Sequence, residues 1–233
     1  MSDYRHELKY VIPEALIPEI QMTMEQLTRL DPHVGPEGMY NISSVYFDDC
    51  YHSCCMDNED GNDPREKYRI RVYNRSLKRI TLEKKYKVNQ MTRKRSCTIS
   101  EDELWQAING KPIELQQQDE RRLLQEFAID QRSGLIKPIV VVNYSRIPYV
   151  HSDGNVRVTL DLDIGGTENF LDPTCSETPL IHILPPGYQL LEVKYDEFLP
   201  DEIYRMLNLG HLQNCAFSKF YLCHQVMKGD FFL

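Results

Sequence analysis

The chain has 233 residues, 41% hydrophobic and 27% charged, with a net charge of −8. That length supports one domain with a real core, here taken as residues 1–233. The acidic balance argues against wholesale nucleic-acid binding. No apolar run reaches membrane-spanning length, Ile139–Val142 being a strand core at most.

In chain order, Arg5–Ile12 reads as a strand. Pro13 then opens a helix to about Leu30, with Leu16, Ile20, Met24 and Leu27 at helical spacing. After the loop Asp31–Gly38, Tyr40–Phe47 is a second strand. Glu66–Tyr73 and Arg79–Lys87 predict a hairpin across Asn74–Lys78, and Thr92–Ile99 a fifth strand. Ser100 followed by Glu103 is a capping box for a helix through Leu104, Ala107 and Ile108. A second helix is expected over Asp119–Gln131. Three more strands follow at Ile139–Pro148, Asn155–Asp163 and Gln189–Tyr195, then helices at Asp201–Leu207 and Phe217–Val226. Eight mostly antiparallel strands joined by short turns predict an α+β chain built on a closed eight-stranded β-barrel, with inserted and C-terminal helices.

Several strands carry a charge at every second position. The densest is Lys67-Tyr68-Arg69-Ile70-Arg71-Val72-Tyr73, whose alternation puts Lys67, Arg69 and Arg71 on one face and Tyr68, Ile70 and Val72 on the other. Arg5, Glu7 and Lys9 repeat it, as do Tyr144 and Arg146, Arg157, Thr159 and Asp161, and Glu192 and Lys194. Between Arg65 and Arg95 stand thirteen Lys or Arg and two acids, Glu66 and Glu83. A basic zone in an acidic chain suggests a local anion site. Sealing such charges unpaired in a dry barrel would cost roughly tens of kcal/mol each. The faces therefore point outward to solvent, or line a wet passage that holds an anion; the pattern alone leaves both open.

The seven cysteines are an odd number and contain no CxxC pair; Cys50, Cys54 and Cys55 are close in sequence. Met1-Ser2-Asp3-Tyr4-Arg5 lacks the apolar stretch of a secretory signal. Reduced thiols and the cytoplasm are the expectations.

The segments also have a familiar order. Arg5-His6-Glu7-Leu8-Lys9-Tyr10, Ser44-Val45-Tyr46-Phe47-Asp48, Tyr68-Arg69-Ile70-Arg71-Val72-Tyr73 and Leu82-Glu83-Lys84-Lys85 come first. Arg93-Lys94-Arg95, Tyr144-Ser145-Arg146, Arg157-Val158-Thr159-Leu160-Asp161, Leu191-Glu192-Val193-Lys194 and Phe217-Ser218-Lys219-Phe220 follow. Together, from about residue 4 to 225, they resemble the VTC domain, in its bacterial form. This is the polyphosphate polymerase module of the triphosphate tunnel metalloenzymes, which also include CYTH-type hydrolases and cyclases.

The resemblance implies a tunnel lined by basic residues and carboxylates. It also implies transfer of the γ-phosphoryl of ATP to a growing polyphosphate chain, assisted by Mn²⁺ or Mg²⁺, with the product threading out through the barrel. By resemblance, Arg69, Arg71, Lys85, Arg146, Arg157 and Lys219 are the catalytic cations. Lys9, Lys94, Tyr144, Lys194 and Ser218 would bind phosphate, and Lys94 could trade places with Arg93 or Arg95 after a one-residue slip. Planar guanidinium groups suit phosphate because they grip it bidentately. Glu192 is the first metal-ligand candidate, with Glu7, Glu83 and Asp161 behind it; for those three an ion pair with neighbouring Arg or Lys is the other reading. The expected ligands are ATP and polyphosphate or triphosphate, with no nucleic acid and no membrane segment in this chain. Many CYTH relatives carry Glu-x-Glu-x-Lys where this chain has Arg5-x-Glu7-x-Lys9, which counts against a two-metal hydrolase. A tunnel-fold triphosphatase and a non-catalytic polyphosphate-binding module are the alternatives. Neither GxGxxG nor a P-loop occurs, so side chains would hold any nucleotide.

Overall fold

The structure, a computed structural model, describes residues 4–89, 91–115, 119–134 and 136–229. The elements are β1 (His6–Pro13), α1 (Ile17–Leu27), β2 (Arg29–Leu30), β3 (Tyr40–Asp48), α2 (Ser53–Glu59), β4 (Arg65–Tyr73), β5 (Ser76–Val88) and β6 (Met91–Ile99). Then come α3 (Glu101–Ile108), α4 (Arg122–Arg132), β7 (Lys137–His151), β8 (Val156–Thr167), β9 (Ile181–His182), β10 (Tyr188–Tyr195), α5 (Asp201–Met206) and α6 (Lys219–Met227). Eight long strands form one antiparallel sheet in the order β1-β10-β8-β7-β3-β4-β5-β6, with β2 beside β7 and β9 beside β8. The sheet curls into a tunnel-like half-barrel. Its outer strands meet at a single bridge, where Arg5 and Thr92 exchange two backbone hydrogen bonds of 3.0 Å.

Alternation sorts each strand into two faces. On the outside, Val45, Phe47, Ile70 and Leu82 pack under α3 and α4 against Leu104, Leu124 and Phe127. The Ser100–Glu103 capping box starts α3 as the sequence predicts. On another outer flank, Ile147, Val158, Leu160 and Leu191 pack against Ile20 and Met24 of α1 and Ile203 of α5. A third cluster lies inside the curl, where α6 lays Phe220 and Cys223 on Ile42, Val140, Val142, Ile164 and Leu190.

A bulge makes that inner packing possible. Between Ser145 and Asn143 of β7, β8 carries an extra residue around Asp163, whose φ is +53°. The bulge resets the alternation, so Arg157, Thr159 and Asp161 share the inner face with Ile164 and Gly166 beyond it. A Cβ on Gly166 would lie 2.8 Å from the Cβ of Cys223, so this glycine lets α6 seat directly on β8.

Four expectations change. The first helix does not run from Pro13 to Leu30: a 3₁₀ turn covers Glu14–Leu16, α1 stops at Leu27, and Arg29–Leu30 pair with Val150 and Tyr149 of β7. The β4–β5 turn is tighter than Asn74–Lys78. Tyr73 pairs with Ser76, and Asn74 and Arg75 both take φ +51°, the geometry of a two-residue turn that matches strand twist. Helix α2 has no counterpart in the sequence reading; the carboxylates of Asp48 and Asp49 accept the backbone N–H groups of Ser53, Cys54 and Cys55 and hold its first turn. Finally, the interior is not a bore open along its whole length, because α6 fills one part of it. No helix among the described residues is long and apolar enough to cross a membrane, and none of the seven cysteines is in a disulfide.

Candidate functional site

The rest of the interior is a cavity of about 380 Å³. Its wall carries twelve Lys or Arg and two Glu, and seven of the eight long strands, together with α6, contribute cations. A second cavity of about 500 Å³ adjoins it near α2, and the two share Glu7, Lys9, Lys67, Lys85 and Ser218.

Cross-strand register builds the first charge cluster. Arg69 of β4 stands opposite Glu83 of β5, and Lys85 of β5 opposite Lys94 of β6. Glu83, 1% exposed, accepts from Arg69 Nε at 2.6 Å and from Lys94 Nζ at 2.6 Å. Arg71 lies 3.8 Å from it and donates to Ser44 Oγ and Tyr144 Oη. Arg69 also donates to Tyr46 Oη at 2.9 Å. Burial alone would raise the Glu83 pKa, but Arg69, Arg71 and Lys94 hold the carboxyl well below the usual range.

The second cluster joins β1, β7, β8, β10 and α6. Arg146 grips Asp161 with two nitrogens, at 2.5 and 2.6 Å, and reaches Glu192 at 3.1 Å. Lys219, at the first position of α6, sits 2.7 Å from Asp161 and 2.8 Å from Glu192. Lys194 bonds Glu192 at 2.5 Å and lies 3.2 Å from Glu7. Lys85 pairs with Glu7 at 2.9 Å. Lys9 stands 3.7 Å from Glu7 and 3.9 Å from Glu192, and donates to the Phe217 carbonyl at 2.6 Å. Burial opposes ionisation of Glu7, Asp161 and Glu192, yet the surrounding lysines and Arg146 lower all three pKa values. Asp161 and Glu192 raise the Lys219 pKa despite its burial.

Every predicted site residue is thus placed. Lys9, Arg69, Arg71, Lys85, Lys94, Tyr144, Arg146, Arg157, Lys194, Ser218 and Lys219 line the main cavity, as do Glu7 and Glu192. Glu83 and Asp161 stand behind that wall, in ion pairs with its cations. Arg157 is shared, since it also pairs with Asp31 from the loop after β2. Of the trio, Arg93 and Lys94 both line the cavity, Lys94 reaching Glu83, while Arg95 turns outward to Glu126 of α4 at 2.8 Å. Besides Arg93, the alternative to Lys94, five wall residues have no role assigned from the sequence: Arg5, Tyr46, Lys67, Thr92 and Phe220. Alternation already puts Lys67 beside Arg69 and Tyr46 beside Ser44. Nothing local marks Phe220.

Among the described residues no three His, Cys, Asp or Glu side chains sit together as a metal cage. Mg²⁺ and Mn²⁺, however, need only one or two carboxylates when phosphate oxygens supply the rest. Glu7 and Glu192, on paired strands and both facing the cavity, fit an ion carried in on phosphate. They do not make a preformed all-protein site.

The chain matches the VTC domain family over residues 4–228. No curated protein matches it. Among solved structures it is similar to HpAC1 from Hippeastrum, an adenylyl cyclase candidate, at 12% identity and a TM-score of 0.58, covering 96% of this chain and 95% of that one. The PH1819 protein of Pyrococcus horikoshii OT3 is 16% identical, with a TM-score of 0.48 and coverage of 97% and 99%. At these identities the likeness concerns the fold.

Proposed function

The chain belongs to the VTC domain family, and from that premise we propose that it holds a linear triphosphate or longer phosphate chain in the cationic cavity and transfers the γ-phosphoryl of ATP to a polyphosphate end. One observation carries this reading: twelve cationic side chains converge on one cavity, and buried carboxylates already fix several of them in place, Arg69 and Arg146 among them. Phosphoryl transfer through a loose transition state asks for positioning and charge neutralisation more than for a protein nucleophile. Arg69, Arg71 and Arg146 present forks for phosphate oxygens, and Lys9, Lys85, Lys194 and Lys219 supply point charges. A divalent cation held by Glu192 and Glu7 would neutralise phosphate oxygens and draw charge towards the leaving group.

The state of the carboxylates favours a phosphate acceptor over water. An attacking water must lose a proton, and Glu7, Glu83, Asp161 and Glu192 are paired and weakened as bases. A terminal phosphate oxygen is already anionic. It forms its bond to the γ-phosphorus as the bond to the ADP oxygen breaks, with no proton to remove.

Hydrolysis is the second reading, and a specific finding favours it. The Hippeastrum protein, similar in fold, is described as having a dominant triphosphatase activity. Incubation with ATP and Mn²⁺ or Mg²⁺, resolved on a gel, separates the two. A ladder of polyphosphate is expected; free phosphate without chain growth would select the triphosphatase. Binding without either product would leave a polyphosphate-binding module.

A further inference from the structure

Lys67 differs from the cations around it. Arg69, Lys85, Arg146, Lys194 and Lys219 each hold a carboxylate, whereas the Lys67 side chain makes no hydrogen bond and no ion pair among the described residues. Its ammonium nitrogen stands 4.9 Å from the centre of the Phe220 ring. It lies on the stretch of wall that both cavities share, with Glu7 and Lys9 of β1 and Lys85, its cross-strand partner on β5.

We propose that Lys67 is the group that takes up a proton when a linear phosphate chain enters the cavity, so that phosphate binding and protonation are one linked event. The inference rests on the functional reading above and adds to it a residue and a pH dependence.

Geometry gives the cause. Facing Lys67 are Lys85, Lys9, Arg65 of its own strand, and Cys54 and Cys55 of α2, with the Phe220 ring over its ammonium. Three of these are cations; the carboxylate on the same stretch of wall, Glu7, is held by Lys85 and Lys9 and makes no ion pair with Lys67. Burial and then repulsion from Lys85 and Lys9 bring its pKa down to about 7. Lys85 starts from the same kind of burial, but Glu7 holds it at about 8. A phosphate oxygen would be the first anion to pair with Lys67, and would favour the charged form. A proton then passes from solvent to the amine, and no covalent bond changes. By linkage, affinity falls as pH rises above about 7, by up to tenfold per pH unit until the bound-state pKa is reached.

The test is calorimetric titration of the full chain with inorganic tripolyphosphate at pH 8 in EDTA, in two buffers of different ionisation heat. Tripolyphosphate itself exchanges protons near this pH, so the difference in uptake between wild type and each variant, and not the absolute count, reports on Lys67. Lys67→Met should take up about one proton fewer and bind more weakly. Lys67→Arg keeps the charge without titrating, so it should also take up about one fewer and weaken less than wild type between pH 7 and pH 9. Equal uptake by Lys67→Arg and wild type overturns the proposal and leaves the functional reading standing. Absence of tripolyphosphate binding by wild type at pH 7 overturns that reading, and this one with it.

Discussion

The interior holds two halves built on the same strands. Along β7, Val140, Val142, Tyr144 and Arg146 face inward in turn, passing from apolar through amphipathic to charged. β10 does the same from Leu190 to Glu192 and Lys194, and β8 from Ile164 back to Asp161 and Arg157. The change falls where α6 begins, at Lys219. Against the helix the strands offer aliphatic groups; beyond Lys219 they offer paired charges. Inward position alone therefore does not decide polarity. What faces the position does, and the cost of burying a charge is met only where a counter-charge or water stands opposite.

The sharpest way to break this division is to empty the charged half. Arg69→Ala with Arg71→Ala should weaken tripolyphosphate binding by about 10²–10⁴-fold, since charge-assisted bonds run about 1.5–3 kcal/mol each. Circular dichroism checks that the fold survives the partial stranding of Glu83. Unchanged binding would place the ligand elsewhere.

Glu192→Gln comes next. Three cations contact this carboxylate within 3.1 Å. Breaking such a buried cluster costs about 3–5 kcal/mol, read as a fall in Tm. Phosphate binding in EDTA should persist, because the cavity becomes more positive, while metal-supported turnover is lost.

Gly166→Val tests the apolar half. Overpacking against Cys223 should cost about 1–3 kcal/mol. If α6 also positions Lys219, phosphate binding falls along with Tm; a fall in Tm alone would make the helix a plug and nothing more. The smallest effect belongs to Lys94→Ala. That side chain is 46% exposed and Glu83 keeps Arg69, so stability should change by under about 1 kcal/mol.

Much of the charged half was legible in the sequence, because a strand writes its two faces at every second residue. Glu7, Lys9, Arg69, Arg71 and Glu192 share one face of their strands, as alternation implies, and all five line or face the cavity. Which face was the inner one did not follow from alternation. It came from resemblance, and the outer packing of Ile70 and Leu82 under α3 and α4 gives the physical reason.

The apolar half was illegible for a different cause. Helix α6, Lys-Phe-Tyr-Leu-Cys-His-Gln-Val-Met, is buried at Lys219, Phe220, Cys223 and His224, and shows no clean polar face to announce its seat inside the curl. The bulge at Asp163, which turns β8 over to meet it, likewise has no simple alternation to betray it. Helix α2 was missed because carboxylates of the preceding residues cap it, in a stretch with few apolar side chains. Alternation places Lys67 on its face but gives it no role, because the lack of a counter-ion appears only once the strands are folded together.

The meeting of Arg5 with Thr92 has a mechanical meaning. Elsewhere each neighbouring pair of long strands is zipped over five or more residue pairs, but here a two-bond clasp shuts the ring. A hoop fastened at one clasp springs open at that point. Deuterium should therefore replace the Arg5 and Thr92 amide hydrogens sooner than those at mid-sheet positions such as Val141 and Leu160.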